Sequence, residues 1–496
     1  MKKLFLSLIL VLGSFLILNA QERPKLVVGI VIDQMRYDYL YRFYEDYGDD
    51  GFKRLLNEGF SYENTMINYI QTYTAVGHAS IYTGSVPSIH GIAGNDFIRQ
   101  KTGEWVNNVR DTNYRAVGTD VFYPQVGKVR MRGDEGKCSP KNLLTTTITD
   151  ELKLATDFKS KVISIAIKDR GAILPAGRTA DAAYWFSDNA GKWLTSTFYM
   201  EELPDWLKEH NKKEFPKKVS ETPQGNTITF EMAYLAIENE QLGKNNITDF
   251  LAVSFSTPDI MGHIYGVDSD EIKNSYIKLD KELGEFLKYL DKEIGKDEYL
   301  LFLTSDHGCA HNANFLKNHK INAGIFNDRE VLKNLNNYLE KKFKQKNIVL
   351  SLNNYQVNFN YPNITKIPHE KLITACIEFL ENLPSVLYVV EQKKAAQAAI
   401  PQVIKECIIN GYNREYSGEI QIILKPAYYH ADNDLVNTHG TLFPYDTHIP
   451  FILYGKGIKQ GSSKAQVYIT DIAATLAALL KIQMPNGCIG RPTTDF

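Results

Sequence analysis

The sequence predicts an α/β fold, a mostly parallel sheet flanked by helices, with a small α+β cap inserted into it. Three observations carry this expectation. Near-continuous apolar runs of strand length alternate with longer helical patterns, as in sheets buried on both faces. Polar residues able to do chemistry stand just past the carboxyl ends of those runs. From 321 to 426 the texture changes to short strands set between charged amphipathic helices.

The apolar runs come in order. Residues 26–32 form the first and end at Asp33; 161–167 form the second and end at Lys168. Residues 249–255 are followed by Pro258-Asp259, and 299–304 by Ser305-Asp306-His307-Gly308. Residues 448–454 read as a further strand. In open α/β sheets the carboxyl edge is where ligands bind, so four strands each delivering an acid, a histidine or a lysine form a constellation. In the inserted unit, 330–344 and 370–382 read as helices, and 347–352, 355–360, 386–390 and 419–424 as short strands. The expected organisation is a signal segment over 1–20, a catalytic domain from 24–320 and 427–496, and the cap between.

The chain has 496 residues, enough to bury a large core, and its 44% hydrophobic content is that of a globular protein. A net charge of −2 and no long basic run give no reason to expect nucleic acid as a partner. Lys2 and Lys3 precede an apolar stretch over 4–18, with Ala20 before a polar 21–24: the pattern of a secretory signal. The alternative, an uncleaved anchor, is short for a hydrocarbon core of ~30 Å. The mature chain is therefore expected to be periplasmic or secreted, without stable membrane insertion, and a monomer. Five dispersed cysteines without a C-x-x-C pair make no disulfide framework.

Several residues have the chemistry of zinc ligands, which are drawn from Asp and neutral His. Asp259 and His263 stand four apart, the spacing of one helical face. Asp306-His307 closes a strand, and His439 sits in a polar turn, Asn437-Thr438-His439-Gly440. Each has a plainer reading. Alone, Asp33 serves as well as a helix N-cap, Asp-x-x-x-His as a surface pair, and Asp-His-Gly as a turn. The segment 71–84 holds Thr74 before a helical pattern. A threonine hydroxyl needs a base or a metal to attack, and a helix N-terminus favours phosphate. Taken alone, Thr74 is more simply a helix cap.

Seven motifs in order resolve these alternatives: Val-Ile-Asp-Gln-Met-Arg (31–36), Thr-Ala-Val-Gly-His (74–78), Ser-Ile-His-Gly-Ile-Ala-Gly-Asn-Asp (88–96), Lys-Asp-Arg-Gly-Ala-Ile-Leu-Pro-Ala-Gly (168–177), Asp-x-x-x-His (259–263), Ser-Asp-His-Gly (305–308) and Thr-His-Gly (438–440). From about Pro24 to the C-terminus the chain resembles the alkaline phosphatase superfamily. Within it, the likeness is to the bacterial PafA-type enzymes, which are related to nucleotide pyrophosphatase/phosphodiesterases. The resemblance implies two Zn2+ ions per chain, one held by Asp259, His263 and His439. The other would be held by Asp33, Asp306, His307 and the reactive ligand Thr74. Asn95, Lys168 and Arg170 match phosphate contacts.

The implied reaction is hydrolysis of phosphate monoesters through a phosphothreonine at Thr74, acting on small-molecule phosphate esters. A phosphodiesterase or nucleotide pyrophosphatase is the alternative; those relatives generally lack the Lys-x-Arg of 168–170. A sulfatase is disfavoured, since 74–78 cannot yield a formylglycine. A zinc-containing binding module would lack turnover. His448 competes with His439 as a ligand, His78 packs behind Thr74, and His311, His319 and His430 read as outlying residues.

Overall fold

In a computed structural model, residues 23–119, 136–364, 366–431 and 437–496 are described. The signal-segment reading of 1–20 lies outside them. The architecture is built on one 11-stranded sheet, with a separate four-stranded sheet in the 321–426 region.

The centre of the large sheet is parallel. Tyr299–Thr304, Leu26–Ile32, Asp249–Phe255, Val162–Ala166 and Ala182–Ser187 lie side by side in that order. All residues of these five strands are buried, because helices cover both faces. Along the first strand, Leu26, Val28, Ile30 and Ile32 enter the core on one face, while Val27 and Val31 enter the core on the other. This is the period-two alternation of a pleated strand, with both sides apolar.

Register decides where the functional residues stand. Val31 pairs with Thr304, Ile32 with Phe255, and Ala166 with Ser254. Asp33, the Ser305–His307 turn, the Ser256–Asp259 turn and Lys168 therefore leave the sheet along a single edge. The expected strand over 448–454 is broken at Pro450 into His448–Ile449 and Phe451–Gly455. Proline cannot donate to a ladder, and the two pieces pair antiparallel on the sheet's far side.

The smaller sheet runs Val349–Ser351, Gln356–Phe359, Ile420–Leu424 and Val386–Glu391, in that spatial order. The helices Asp328–Phe343 and His369–Glu381 pack on it, and it has its own apolar cluster around Leu335, Leu372 and Ile422. The helix Gln402–Gly411, not expected from the sequence, packs instead beside Ile70.

Candidate active site

Thr74 is the first residue of the helix Thr74–Thr83, and it is 1% exposed. Tyr73 before it is extended, so the chain turns sharply into the helix at the site. A Cβ on Gly77 would lie 2.3 Å from the carbonyl oxygen of Asp306. The helix can therefore press against the end of the Tyr299–Thr304 strand only with glycine there. That approach brings Thr74 Oγ1 to 3.5 Å from His307 Nε2.

Around it the predicted ligands converge. One ligand atom each from Asp259, His263 and His439 lie within 4.8 Å of one another, and so do those of Asp33, Asp259 and His307. Asp259 belongs to both groups, its Oδ1 3.3 Å from His263 Nε2 and 3.5 Å from His439 Nε2. Asp259 and His263 share one face of the helix Thr257–Tyr265. Asp306 approaches from the other side, its Oδ2 3.5 Å from His307 Nε2.

The donor set fits metal ions. The Nδ1 atoms of His263, His439 and His307 meet the backbone carbonyls of Asn437, Thr72 and Gly308 at 2.6, 2.6 and 2.9 Å. Each ring thus donates from Nδ1 and turns a lone pair at Nε2 into the site, the tautomer a metal ligand needs. Asp33 Oδ1 and Asp306 Oδ2 are buried and lack a hydrogen-bond partner among the described residues. Unpaired buried carboxylate oxygens are costly unless a cation is held there. Burial pushes His307 down to about 3 and lowers His439, so both rings are neutral near pH 7. Burial also opposes charge on His263, but Asp259 beside it raises its pKa.

Lys168 lies against the ligand carboxylates and Thr74. Its Nζ is 2.6 Å from Asp33 Oδ2, bonds Asp259 Oδ2 as well, and is 3.4 Å from Thr74 Oγ1. Burial, together with the charges of Asp259 and Asp306, pushes Asp33 well above the usual carboxylate range. Burial opposes the charge of Asp259 too, yet Lys168 and His263 hold it well below that range. Two carboxylates share one ammonium, and Asp259 has the histidines in addition. Arg170, in the first turn of the helix Asp169–Ala176, reaches Asp169 at 3.8 Å, and its Nε has no hydrogen-bond partner among the described residues. Asn95 Oδ1 accepts from the backbone N–H of Ala75 at 3.0 Å. Its amide Nδ2 can then point away from the helix.

His78 is fully buried behind Thr74, with Nδ1 2.8 Å from the Thr74 carbonyl and 3.3 Å from Asp306 Oδ2, and Nε2 2.7 Å from Ser254 Oγ. His448 stacks on Tyr37 and meets the Glu63 carbonyl, outside both ligand groups. His311 pairs with Asp268, His430 with Asp328, and His319 with its own helix. Arg36 holds Asp38 and the Cys309 carbonyl. Cys309 itself is buried, and burial pushes its thiol well up, which disfavours the thiolate.

One contributor was missed from sequence. Gln34 adopts a left-handed φ of 67° and donates from Nε2 to Asp259 Oδ1 at 2.6 Å. Its place beside Asp33 was the only available signal.

The sequence profile of the family described as Type I phosphodiesterase / nucleotide pyrophosphatase matches residues 27–442. A protein of Myroides odoratus named calcium-transporting ATPase is 46% identical, the match covering 97% of this chain and 96% of that one. Alkaline phosphatase PafA of Elizabethkingia meningoseptica is 41% identical over 96% of this chain and 95% of its own. A crystal structure of wild-type alkaline phosphatase PafA superposes with a TM-score of 0.91 at 41% identity, covering 96% of this chain and 99% of that one.

Proposed function

We propose that this chain, which belongs to the type I phosphodiesterase / nucleotide pyrophosphatase family, is an alkaline phosphatase that hydrolyses phosphate monoesters with two bound zinc ions. Phosphoester hydrolysis is the chemistry its family membership supports. The observation that carries the finer reading is Thr74 Oγ1 at the N-terminus of a helix, 3.5 Å from His307, a member of one of two Asp/His groups that share Asp259.

Asp259, His263 and His439 would hold one ion; Asp33, Asp306 and His307 the other, beside Thr74 and within reach of Asp259. When bound, such ions lower the pKa of the threonine hydroxyl and of water, and draw charge off the leaving oxygen. The chain's own residues supply the rest. Thr74 Oγ attacks phosphorus, forming an O–P bond as the bond to the leaving alkoxide breaks. The phosphothreonine then loses its phosphoryl group to water, which regenerates Thr74 and releases inorganic phosphate. Asn95 Nδ2 donates to one phosphoryl oxygen. Arg170 offers its guanidinium fork to others, and Lys168 adds a point charge where negative charge gathers.

A monoester dianion bears one more negative charge than a diester, so this cationic pair favours monoesters. The family profile also admits phosphodiesterases, which makes the diester the reading to beat. No helix among the described residues is long and apolar enough to cross a membrane. Export through the 1–20 segment, and a cap role for 321–426, belong to this reading.

The test compares kcat/KM for a monoester and a matched diester in wild type, Arg170→Ala and Lys168→Ala/Arg170→Ala, with zinc content measured alongside. Monoester preference of orders of magnitude, largely erased in the variants at unchanged zinc, supports the proposal. Diester preference, or variants that change nothing, overturns it.

A further inference from the structure

We propose that Asn353 and Asn354, on the smaller unit, are positioning residues that hold the phosphate-binding Asn95 of the larger one. This rests on the phosphatase reading.

The two asparagines sit in the connection between the strands Val349–Ser351 and Gln356–Phe359. Asn353 Nδ2 donates to the Asp96 carbonyl at 2.7 Å; Asn354 Nδ2 reaches the same carbonyl at 3.1 Å and that of Ala93 at 3.4 Å. The gripped carbonyls flank Gly94 and Asn95. A Cβ on Gly94 would lie 2.4 Å from Asn354 Nδ2, so this approach requires glycine.

Asn95 is fixed on its remaining sides. Its carbonyl accepts from Asn108 N at 3.2 Å and from the Asn108 amide, and its Oδ1 accepts from Ala75 N, next to Thr74. The grip is itself rigid. Asn354 and Tyr355 adopt left-handed φ values of 57° and 55°, which asparagine tolerates and tyrosine does not favour. Three contacts hold them there: Gln421 Nε2 donates to the Asn354 carbonyl at 3.5 Å and the Tyr355 carbonyl at 3.0 Å, and Tyr355 OH accepts from His430 N at 2.8 Å.

Docking of the two units does not account for the pair. Arg99 with Glu415, Gln100 with the Ser417 carbonyl, and Asn413 with the Pro87 carbonyl already tie them together. Among the described residues, the two asparagine side-chain amides bond only the backbone on either side of Asn95. A phosphate contact displaced by about 1 Å can cost up to about two orders of magnitude in rate.

The test is a double-mutant cycle on monoester turnover. Asn354→Gly keeps the left-handed backbone and removes the amide; Asn353→Ala is the companion. Each is expected to lower kcat/KM about tenfold, to weaken inhibition by inorganic phosphate, and to leave zinc content unchanged. In an Asn95→Ala background the same changes should cost almost nothing further. Equal losses in both backgrounds, or a loss that follows only the melting temperature, overturn the proposal. Wild type without monoester turnover, or an Asn95→Ala variant without a loss, fails the functional reading instead. A crystal structure of Asn354→Gly then decides positioning, which is overturned if Asn95 Oδ1 still meets Ala75 N.

Discussion

The edge of the large sheet and the interior of the small one are both rich in buried polar residues, and they treat them in opposite ways. In the small sheet the polar strand residues satisfy each other. Gln356 Nε2 donates to Gln421 Oε1 at 3.1 Å, Gly418 N to Gln356 Oε1 at 2.9 Å, and Asn358 Nδ2 to Ser351 Oγ at 3.3 Å. At the large sheet's edge, Asp33 Oδ1, Asp306 Oδ2, Asp446 Oδ1 and Arg170 Nε are buried without hydrogen-bond partners among the described residues. Burying an unpaired polar group costs a few kcal/mol, more if charged, and folds keep such groups where a ligand can reward them. Polar burial in the first region specifies a fold, and in the second it stores binding capacity.

The largest break in that comparison comes from Thr74→Ala. Monoester kcat/KM should fall by about four orders of magnitude or more, since the variant removes the hydroxyl that attacks phosphorus. The melting temperature should barely move, because the hydroxyl makes only 3.4 and 3.5 Å contacts among the described residues. Trapping labelled phosphate on wild type and not on the variant checks the intermediate. Turnover that survives the substitution sinks it.

Metal loading sharpens the same contrast. Asp259 belongs to both ligand groups, whereas His263 belongs to one. Bound zinc, measured by elemental analysis, should drop from about two per chain to about one in His263→Ala. In Asp259→Asn it should drop below that. Equal losses would show that the two groups do not share Asp259.

A substitution in the small unit should do the reverse. Leu372 is fully buried in the cluster that packs the helix His369–Glu381 on the small sheet. Leu372→Ala should cost about 2–5 kcal/mol of stability, seen as an earlier denaturant midpoint. Below that midpoint, zinc content and kcat/KM should stay near wild type.

The same division explains what the sequence made legible. Strands buried on both faces are continuous apolar runs, so Leu26–Ile32, Asp249–Phe255 and Tyr299–Thr304 could be read to the residue. Because parallel register aligns their ends, Asp33, Asp259, Asp306 and His307 could be expected together. Choosing His439 over His448 needed the resemblance, since a turn has no periodicity. The sharing of Lys168 between Asp33 and Asp259 depends on side-chain geometry that no spacing encodes. The Asn353 bond to Asp96 joins residues 257 apart in sequence and was equally hidden.

Asp446 offers the finest test, because it lies between the two regimes. It is fully buried, and its Oδ2 accepts from Thr441 N and Oγ1 at 2.8 and 2.6 Å, bracing the turn after His439, while Oδ1 has no partner among the described residues. Burial raises its pKa to about 7, despite those donors. A carboxyl whose folded pKa exceeds its unfolded one binds its proton more tightly when folded. The fold therefore loses stability as pH rises from about 4 to about 7, by an upper bound of about 4 kcal/mol. The substitution Asp446→Asn keeps an oxygen for Thr441 and places an uncharged amide where Oδ1 stands. The variant should therefore match wild type near pH 4 and exceed it above pH 7 in chemical denaturation. A difference that does not change with pH would mean the carboxyl is already ionised throughout, and that the turn needs only its hydrogen bonds.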